Sequence, residues 1–264
     1  MIQTTAKVVE AKKFSNGFAV VSVRCPQIAK DALPGHFVNI LAEPVFLRRP
    51  IGIFDVQGDI VKFFVKIVGK GTEWLADRSE GDSLDMIGPL GKGIFDDQKA
   101  ERVILVAGGV GLAPLFFYLT HNDKSDKKKI LFYGARTKEE ICFVDELGEL
   151  TDYLFFATED GSFGEKGFVT DSMRNVSLDF KEGDLIMTCG PKPMLKSVID
   201  FSESVGVTCQ VSLENYMGCG TGVCLSCAIP VLDYDSDGQK YRRVCADGPV
   251  MDSSIIDKEK LFNG

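Results

Sequence analysis

The chain has 264 residues, 45% of them hydrophobic, and a net charge of −8. That length allows two ordinary domains and a small appendix, and no apolar run is long enough to span a bilayer. The negative charge speaks against nucleic acid as a partner, and two histidines, His36 and His121, support neither a histidine metal site nor a Ser–His–Asp triad.

Residues 1–97 read as β. The runs Lys7–Ala11, Phe18–Arg24, Phe37–Leu41 and Ile60–Val68 are β-rich and partly alternating, and turns such as Pro34-Gly35 and Gly58-Asp59 separate them. Short strands at this spacing predict a closed antiparallel barrel. One helix is expected over Thr72–Arg78, with Trp74 and Leu75 inward. Residues 98–212 change character. Arg102–Ala107, Ile130–Tyr133, Tyr153–Thr158 and Leu185–Thr188 are short apolar runs, the mark of strands buried on both faces. Helical stretches over Leu112–Leu119, Glu139–Leu150 and Pro193–Glu203 alternate with them, which predicts a parallel α/β sheet. Residues 213–264 hold a cysteine-rich segment. A small hairpin is expected from Ile229–Leu232 and Tyr241–Val244 around the turn Asp233–Gly238, and Met251–Gly264 reads as a tail.

The cysteine segment carries the strongest chemical signal. Cys219, Cys224, Cys227 and Cys245 follow the spacing C-x4-C-x2-C…C, the plant-type ligand pattern of a 2Fe-2S cluster. Gly218, Gly220 and Gly222 let backbone wrap close to the sulfurs and aim N–H groups at them. A structural zinc site is the alternative, but zinc modules pair their ligands in C-x2-C knuckles and only Cys224 and Cys227 are so paired. Cys25, Cys142 and Cys209 show no metal spacing and read as small buried residues. With no signal-like opening and mean hydropathy near zero, a reducing cytoplasmic compartment is expected rather than disulfides.

Three further motifs point to nucleotides. Gly108, Gly109 and Gly111 follow a buried strand and open a helix, where a pyrophosphate meets a helix start; Pro114 stands where a third fingerprint glycine would be. Cys189-Gly190-Pro191 ends another buried strand, so Cys189 is expected to line a nicotinamide pocket in a positioning role. Asp160, at the end of the third strand, suits ribose hydroxyls and leans toward NAD, although Asp160-Gly161 reads equally well as a turn and Arg136 leaves NADP open. In the barrel, Arg48-Arg49-Pro50 and Lys66–Thr72 form two anion-binding devices, which suggests a flavin between the domains. Gly88–Gly93 reads as a connection beside that flavin.

Taken together, Pro34–Phe37, Arg48–Ile51, Gly69–Thr72, Gly88–Gly91, Gly108–Pro114, Cys189–Pro191, Met217–Cys227 and Cys245–Pro249 resemble the electron-transfer subunits of type B dihydroorotate dehydrogenases, within the ferredoxin–NAD(P) reductase superfamily. The resemblance covers essentially the whole chain. It implies an FAD-binding β-barrel (1–97), an NAD-binding α/β domain (98–212) and a C-terminal 2Fe-2S module with a tail (213–264). It also implies a partner catalytic subunit that carries FMN and oxidises dihydroorotate, in a heterotetramer serving pyrimidine biosynthesis. By motif, Arg49, Pro50, Ile51, Gly52, Lys66, Ile67, Val68, Gly71 and Thr72 would hold FAD, and the four cysteines the cluster. Gly52 replaces the serine usual in the family, and Tyr216 stands where arginine is common. Two related readings compete: the small subunit of an NADH-dependent ferredoxin:NADP reductase, which typically has aspartate at the position of Cys219, or of a sulfur-compound reductase. A zinc-stabilised, non-catalytic nucleotide-binding module is the reading of another class.

Overall fold

The protein's structure, a computed structural model, describes residues 1–43, 45–232 and 240–263. The expected turn Asp233–Gly238 lies outside the described residues.

The first domain is a curled antiparallel sheet. Its strands are β1 (Ile2–Lys13), β2 (Phe18–Arg24), β3 (Phe37–Ile40), β4 (Arg49–Gly52), β5 (Asp55–Gln57), β6 (Ile60–Lys66) and β7 (Ser83–Leu90), with the ladder running β4-β3-β7-β1-β2-β6-β5. The two ends of the ladder, β4 and β5, do not pair with each other, so the expected closed barrel is a half-barrel; the bend between them is tied by Ile53, which donates to the carbonyl of His36, and Phe54, which donates to that of Lys62. Inside lie Val21, Val38, Ile40, Ile53 and Phe63, all nearly free of solvent contact. The strands β4, β5 and β7 were not expected from the sequence. Pro50 masks β4 as a strand, and it is tolerated there because β4 is an edge strand. The expected helix begins two residues early, as α1 (Lys70–Ala76); Leu75 is buried and Arg78 lies 4.2 Å over the Trp74 ring.

The second domain has five parallel strands with helices between them, in sequence β8 (Arg102–Gly108), α2 (Leu112–His121), β9 (Lys128–Ala135), α3 (Val144–Leu150), β10 (Tyr153–Thr158), β11 (Glu165–Lys166), α4 (Val169–Asn175), β12 (Asp184–Cys189), α5 (Lys192–Val205) and β13 (Thr208–Ser212), with the two-residue β11 as a sixth strand at one edge. The order across the sheet is β11-β10-β9-β8-β12-β13. β8 and β12 are neighbours in register, Ala107 beside Cys189, so the glycine turn and the cysteine turn leave the sheet side by side.

The third segment begins with the hairpin β14 (Ala228–Pro230) and β15 (Tyr241–Arg243). The expected tail is ordered structure: β16 (Val250–Asp252) pairs antiparallel with β13 and so becomes the outer strand of the nucleotide sheet, and α6 (Lys258–Asn263) follows. The cluster segment is thereby sewn to the second domain. It is also sewn to the first: Lys92 and Gly93 donate to the Gly248 carbonyl, and a Cβ on Gly93 would lie 2.0 Å from the Val250 carbonyl oxygen. The glycine-rich connection after β7, expected beside a flavin, is therefore packed against the cluster segment.

An aromatic seam joins the first two domains. Phe54 stacks on Phe116 at 4.3 Å, and Phe143 lies 5.0 Å from Phe64 and 4.9 Å from Phe54. Phe143 holds a left-handed backbone, φ 62°, to reach that position. For a bulky residue this is strained, and packing against Phe14, Phe54, Phe64 and Phe116 compensates.

Candidate redox site

The four cysteines converge in two pairs. Cys227 Sγ lies 3.2 Å from Cys245 Sγ. Cys219 and Cys224 face each other through reciprocal contacts, the N–H of each donating to the sulfur of the other at 3.3 and 3.4 Å. Among the described residues no three His, Cys, Asp or Glu side chains are arranged to hold a single metal ion. A two-by-two division fits a two-iron cluster, where each iron takes two protein sulfurs. The backbone supplies the rest of the cradle. Thr221 and Val223 donate to Cys219 Sγ at 3.4 and 3.3 Å, and Gly222 donates to Cys245 Sγ at 3.1 Å. Gly220 and Gly222 hold φ of 70° and 86°, and a Cβ on Gly222 would lie 2.8 Å from that of Ala246. Burial opposes ionisation of Cys219, but these amides and the Thr221 hydroxyl outweigh it and lower the thiol to about 6. The Ser226 hydroxyl lowers Cys224. Burial raises Cys245 to about 12.

The pairs differ in depth. Cys227 and Cys245 are buried in the core that includes Phe37 and Leu90 of the barrel, while Cys224 is exposed and Cys219 half-exposed. Around the outer pair stand Tyr216, Val223 and Leu225, exposed by 90%, 80% and 62%.

A second feature is a cleft of about 680 Å³ where the three segments meet. Arg49 and Pro50 line it from the barrel, Gly190 and Pro191 from the nucleotide domain, and Glu214, Tyr216 and Gly218 from the approach to the cluster. Arg49 packs directly on the other barrel motif, since a Cβ on Gly71 would lie 3.0 Å from Arg49 Cγ. Thr72 closes that turn, accepting from Val68 N–H at 3.0 Å and donating to the Gly69 carbonyl at 3.0 Å. Ile51 is buried beneath β4 while Gly52 leaves open space. Ile67 is tied to Gly17, and Lys66 reaches across the domain boundary to Glu140 at 2.9 Å. Arg48 is spent within the fold on the Asn39 and Asp85 carbonyls and the Asp85 carboxylate.

The glycine turn is shaped largely by packing. A Cβ on Gly108 would lie 2.6 Å from Met194 Sδ, one on Gly111 2.3 Å from the Cys189 carbonyl oxygen, and one on Gly190 2.5 Å from Met194 Cε. Gly109, at φ 54°, faces open space and is the position where a ligand has room. Cys189 is buried, and burial together with the charge of Glu214 pushes its thiol up, so it stays protonated. At the end of β10, Asp160 accepts from the Ser162 N–H and hydroxyl at 3.0 and 2.6 Å, which hold it below the usual carboxylate range. Arg136 is engaged by Glu140 at 2.7 Å.

Sequence reasoning missed Glu214. It sits two residues past β13, exposed along the cleft, and the protein surface around its carboxylate displaces enough water to raise its pKa. Its signal was available only through β13: Ser212 pairs with Cys189, so the residues just beyond emerge beside the Cys189 turn.

Comparison with known proteins agrees with this geometry. Residues 214–257 match the iron–sulfur cluster binding domain of dihydroorotate dehydrogenase B, and residues 105–200 match the oxidoreductase NAD-binding domain. The chain is 39% identical over 222 residues to the electron transfer subunit of dihydroorotate dehydrogenase B (NAD(+)) from Caldanaerobacter subterraneus, covering 84% of this chain and 85% of that one. The chain belongs to this family of electron transfer subunits. A homolog of the same subunit from Aquifex aeolicus is 35% identical and covers 95% of this chain and 97% of its own. Among solved structures, an NADH-dependent reduced ferredoxin–NADP oxidoreductase superposes with a TM-score of 0.86 at 32% identity, covering 98% of this chain and 91% of that one. The ferredoxin reductase of carbazole 1,9a-dioxygenase shares the fold, with a TM-score of 0.69 at 24% identity over 78% of this chain and 66% of that one. The protein is thus an oxidoreductase subunit that works with FAD, a 2Fe-2S cluster and NAD, and its family name implies a catalytic partner. No helix among the described residues is long and apolar enough to cross a membrane.

Proposed function

We propose that this chain passes electrons between NAD and an FMN-containing subunit that oxidises dihydroorotate to orotate, in a heterotetramer of pyrimidine biosynthesis. The observation that carries the reading is the depth difference between the cysteine pairs. The inner pair, Cys227 and Cys245, shares a core with the barrel, and the outer pair, Cys219 and Cys224, opens to the surface beside exposed Tyr216, Val223 and Leu225. Exposed apolar side chains grouped around a redox centre suit a partner surface. When bound, the flavin supplies the exchange between two-electron and one-electron chemistry, which no side chain here performs.

The residues of the chain bind and orient. Arg49, Pro50, Ile51 and Gly52, with the Lys66–Thr72 segment, hold the flavin at the mouth of the cleft. Gly109 admits the NAD pyrophosphate, Gly108, Gly111, Gly190 and Pro191 shape the turns beneath it, and Asp160, fixed by Ser162, meets the ribose. Cys189, kept protonated, packs beside the nicotinamide. Outside the cluster segment, Cys25, Cys142, Cys189 and Cys209 are buried free thiols, which suits a reducing cytoplasm. The test is purification from the native host without oxygen, followed by assay of NAD⁺ reduction with dihydroorotate as donor. Activity accompanied by an FMN subunit supports the reading; NADH oxidation with artificial acceptors and no dihydroorotate turnover would sink it.

A further inference from the structure

Between the flavin barrel and the cluster lies a polar side chain with no place in the roles above. β3 alternates regularly against β4: Val38 and Ile40 fill the barrel, whereas Phe37 joins the core that holds Cys227 and Cys245. Asn39 shares the outward side with Phe37 and is completely buried. Its Nδ2 donates to the Cys219 carbonyl at 3.1 Å, while its Oδ1 is buried with no hydrogen-bond partner among the described residues. An unsatisfied buried amide oxygen costs stability, and an apolar residue of the same size would avoid that cost. The amide is therefore explained by the one bond it makes.

That bond holds the peptide between Cys219 and Gly220, and the next amide along, from Thr221, donates to the Cys219 sulfur. The fit allows nothing larger than glycine at 220, where a Cβ would lie 2.3 Å from Asn39 Nδ2. On its other side Asn39 is bound into the flavin strand: it pairs with Pro50 in β4, and its carbonyl accepts from Arg48 at 3.3 Å. One residue thus spans from the strand pair that presents Arg49 and Pro50 to the loop that presents the outer cysteine pair.

We propose that Asn39 is a positioning residue for electron transfer, holding the Cys219 loop on the barrel and so fixing the separation and orientation of the flavin and the cluster. The proposal rests on the reading that electrons cross between those two centres. Tunnelling falls steeply with distance, so a loosened loop slows that crossing while leaving the nicotinamide side alone.

The test uses the reconstituted holoprotein and three variants that lack the amide donor: Asn39→Leu, Asn39→Asp and the smaller Asn39→Ala, which serves if either of the others fails to fold. Stopped-flow mixing with NADH reads flavin bleaching and cluster bleaching separately, and electron paramagnetic resonance reads the reduced cluster. Flavin bleaching is expected to stay within twofold of the parent. Cluster bleaching is expected to slow at least tenfold, with altered g-values, in every variant that folds. Cluster bleaching within twofold of the parent and an unchanged spectrum would overturn the role of Asn39. A parent cluster that NADH never reduces would overturn the electron route itself, and the role of Asn39 with it.

Discussion

The cluster loop and the nucleotide cleft are both glycine-rich turns, yet their glycines do different work. In the loop, Gly220 and Gly222 hold left-handed backbone so that amides point at sulfur. At the strand ends beside the cleft, Gly108, Gly111 and Gly190 are crowded by protein, whereas Gly109 faces open space. The loop is built to the demands of its ligand. The cleft is built where segments far apart in sequence meet, with Arg49, Gly190 and Glu214 among the residues that line it.

That contrast predicts all-or-none behaviour in the loop and graded behaviour in the cleft. The largest effect is expected for Cys245→Ser: cluster absorbance and the paramagnetic signal of the reduced protein disappear while bound flavin remains, measured by iron and flavin content. Next is Gly111→Ala. Its methyl meets the Cys189 carbonyl oxygen at 2.3 Å, and relief of that overlap costs about 1–3 kcal/mol. Thermal unfolding should fall by roughly 2–4 °C per kcal/mol for a chain of this size, with cluster content unchanged.

Smaller still, Asp160→Asn should raise the KM for NADH about tenfold with little change in kcat, the worth of one charge-assisted hydrogen bond, ~1.5 kcal/mol. An unchanged KM would make Asp160 a turn residue only, serving Ser162. The smallest effect concerns Glu214. Its pKa is raised in the folded state, so the native protein binds that proton more readily than the unfolded chain. The stabilisation is full below the unfolded carboxylate value and is lost as pH rises through the folded one. Glu214→Gln should therefore raise the Tm at neutral pH and not at acidic pH. The gain should stay under about 1 kcal/mol, because the carboxylate still meets water in the cleft.

What was legible in the sequence follows the same division. Cluster ligation dictates residue type and spacing, and the four cysteines singled out on that ground, Cys219, Cys224, Cys227 and Cys245, lie in the structure as two contacting pairs. The buried parallel strands were legible because a strand covered by helices on both faces needs mostly apolar side chains, and β8 and β12 show that in Val103–Ala107 and Leu185–Met187. β4 was hidden by Pro50, and β16 by its three-residue length and by a partner, β13, some 40 residues away. Glu214 and Asn39 carry no local pattern. Their significance appears only when the third segment folds back on the other two.

The most direct test of the electron route compares two activities in one preparation of the complex carrying Cys224→Ser, a change at the exposed outer pair. NADH oxidation with a small artificial acceptor should persist near the parent level, because the nucleotide cleft and flavin site are untouched. Dihydroorotate-dependent NAD⁺ reduction should fall at least a hundredfold. If dihydroorotate-dependent turnover survives without the cluster, electrons do not pass through these cysteines and the account is wrong.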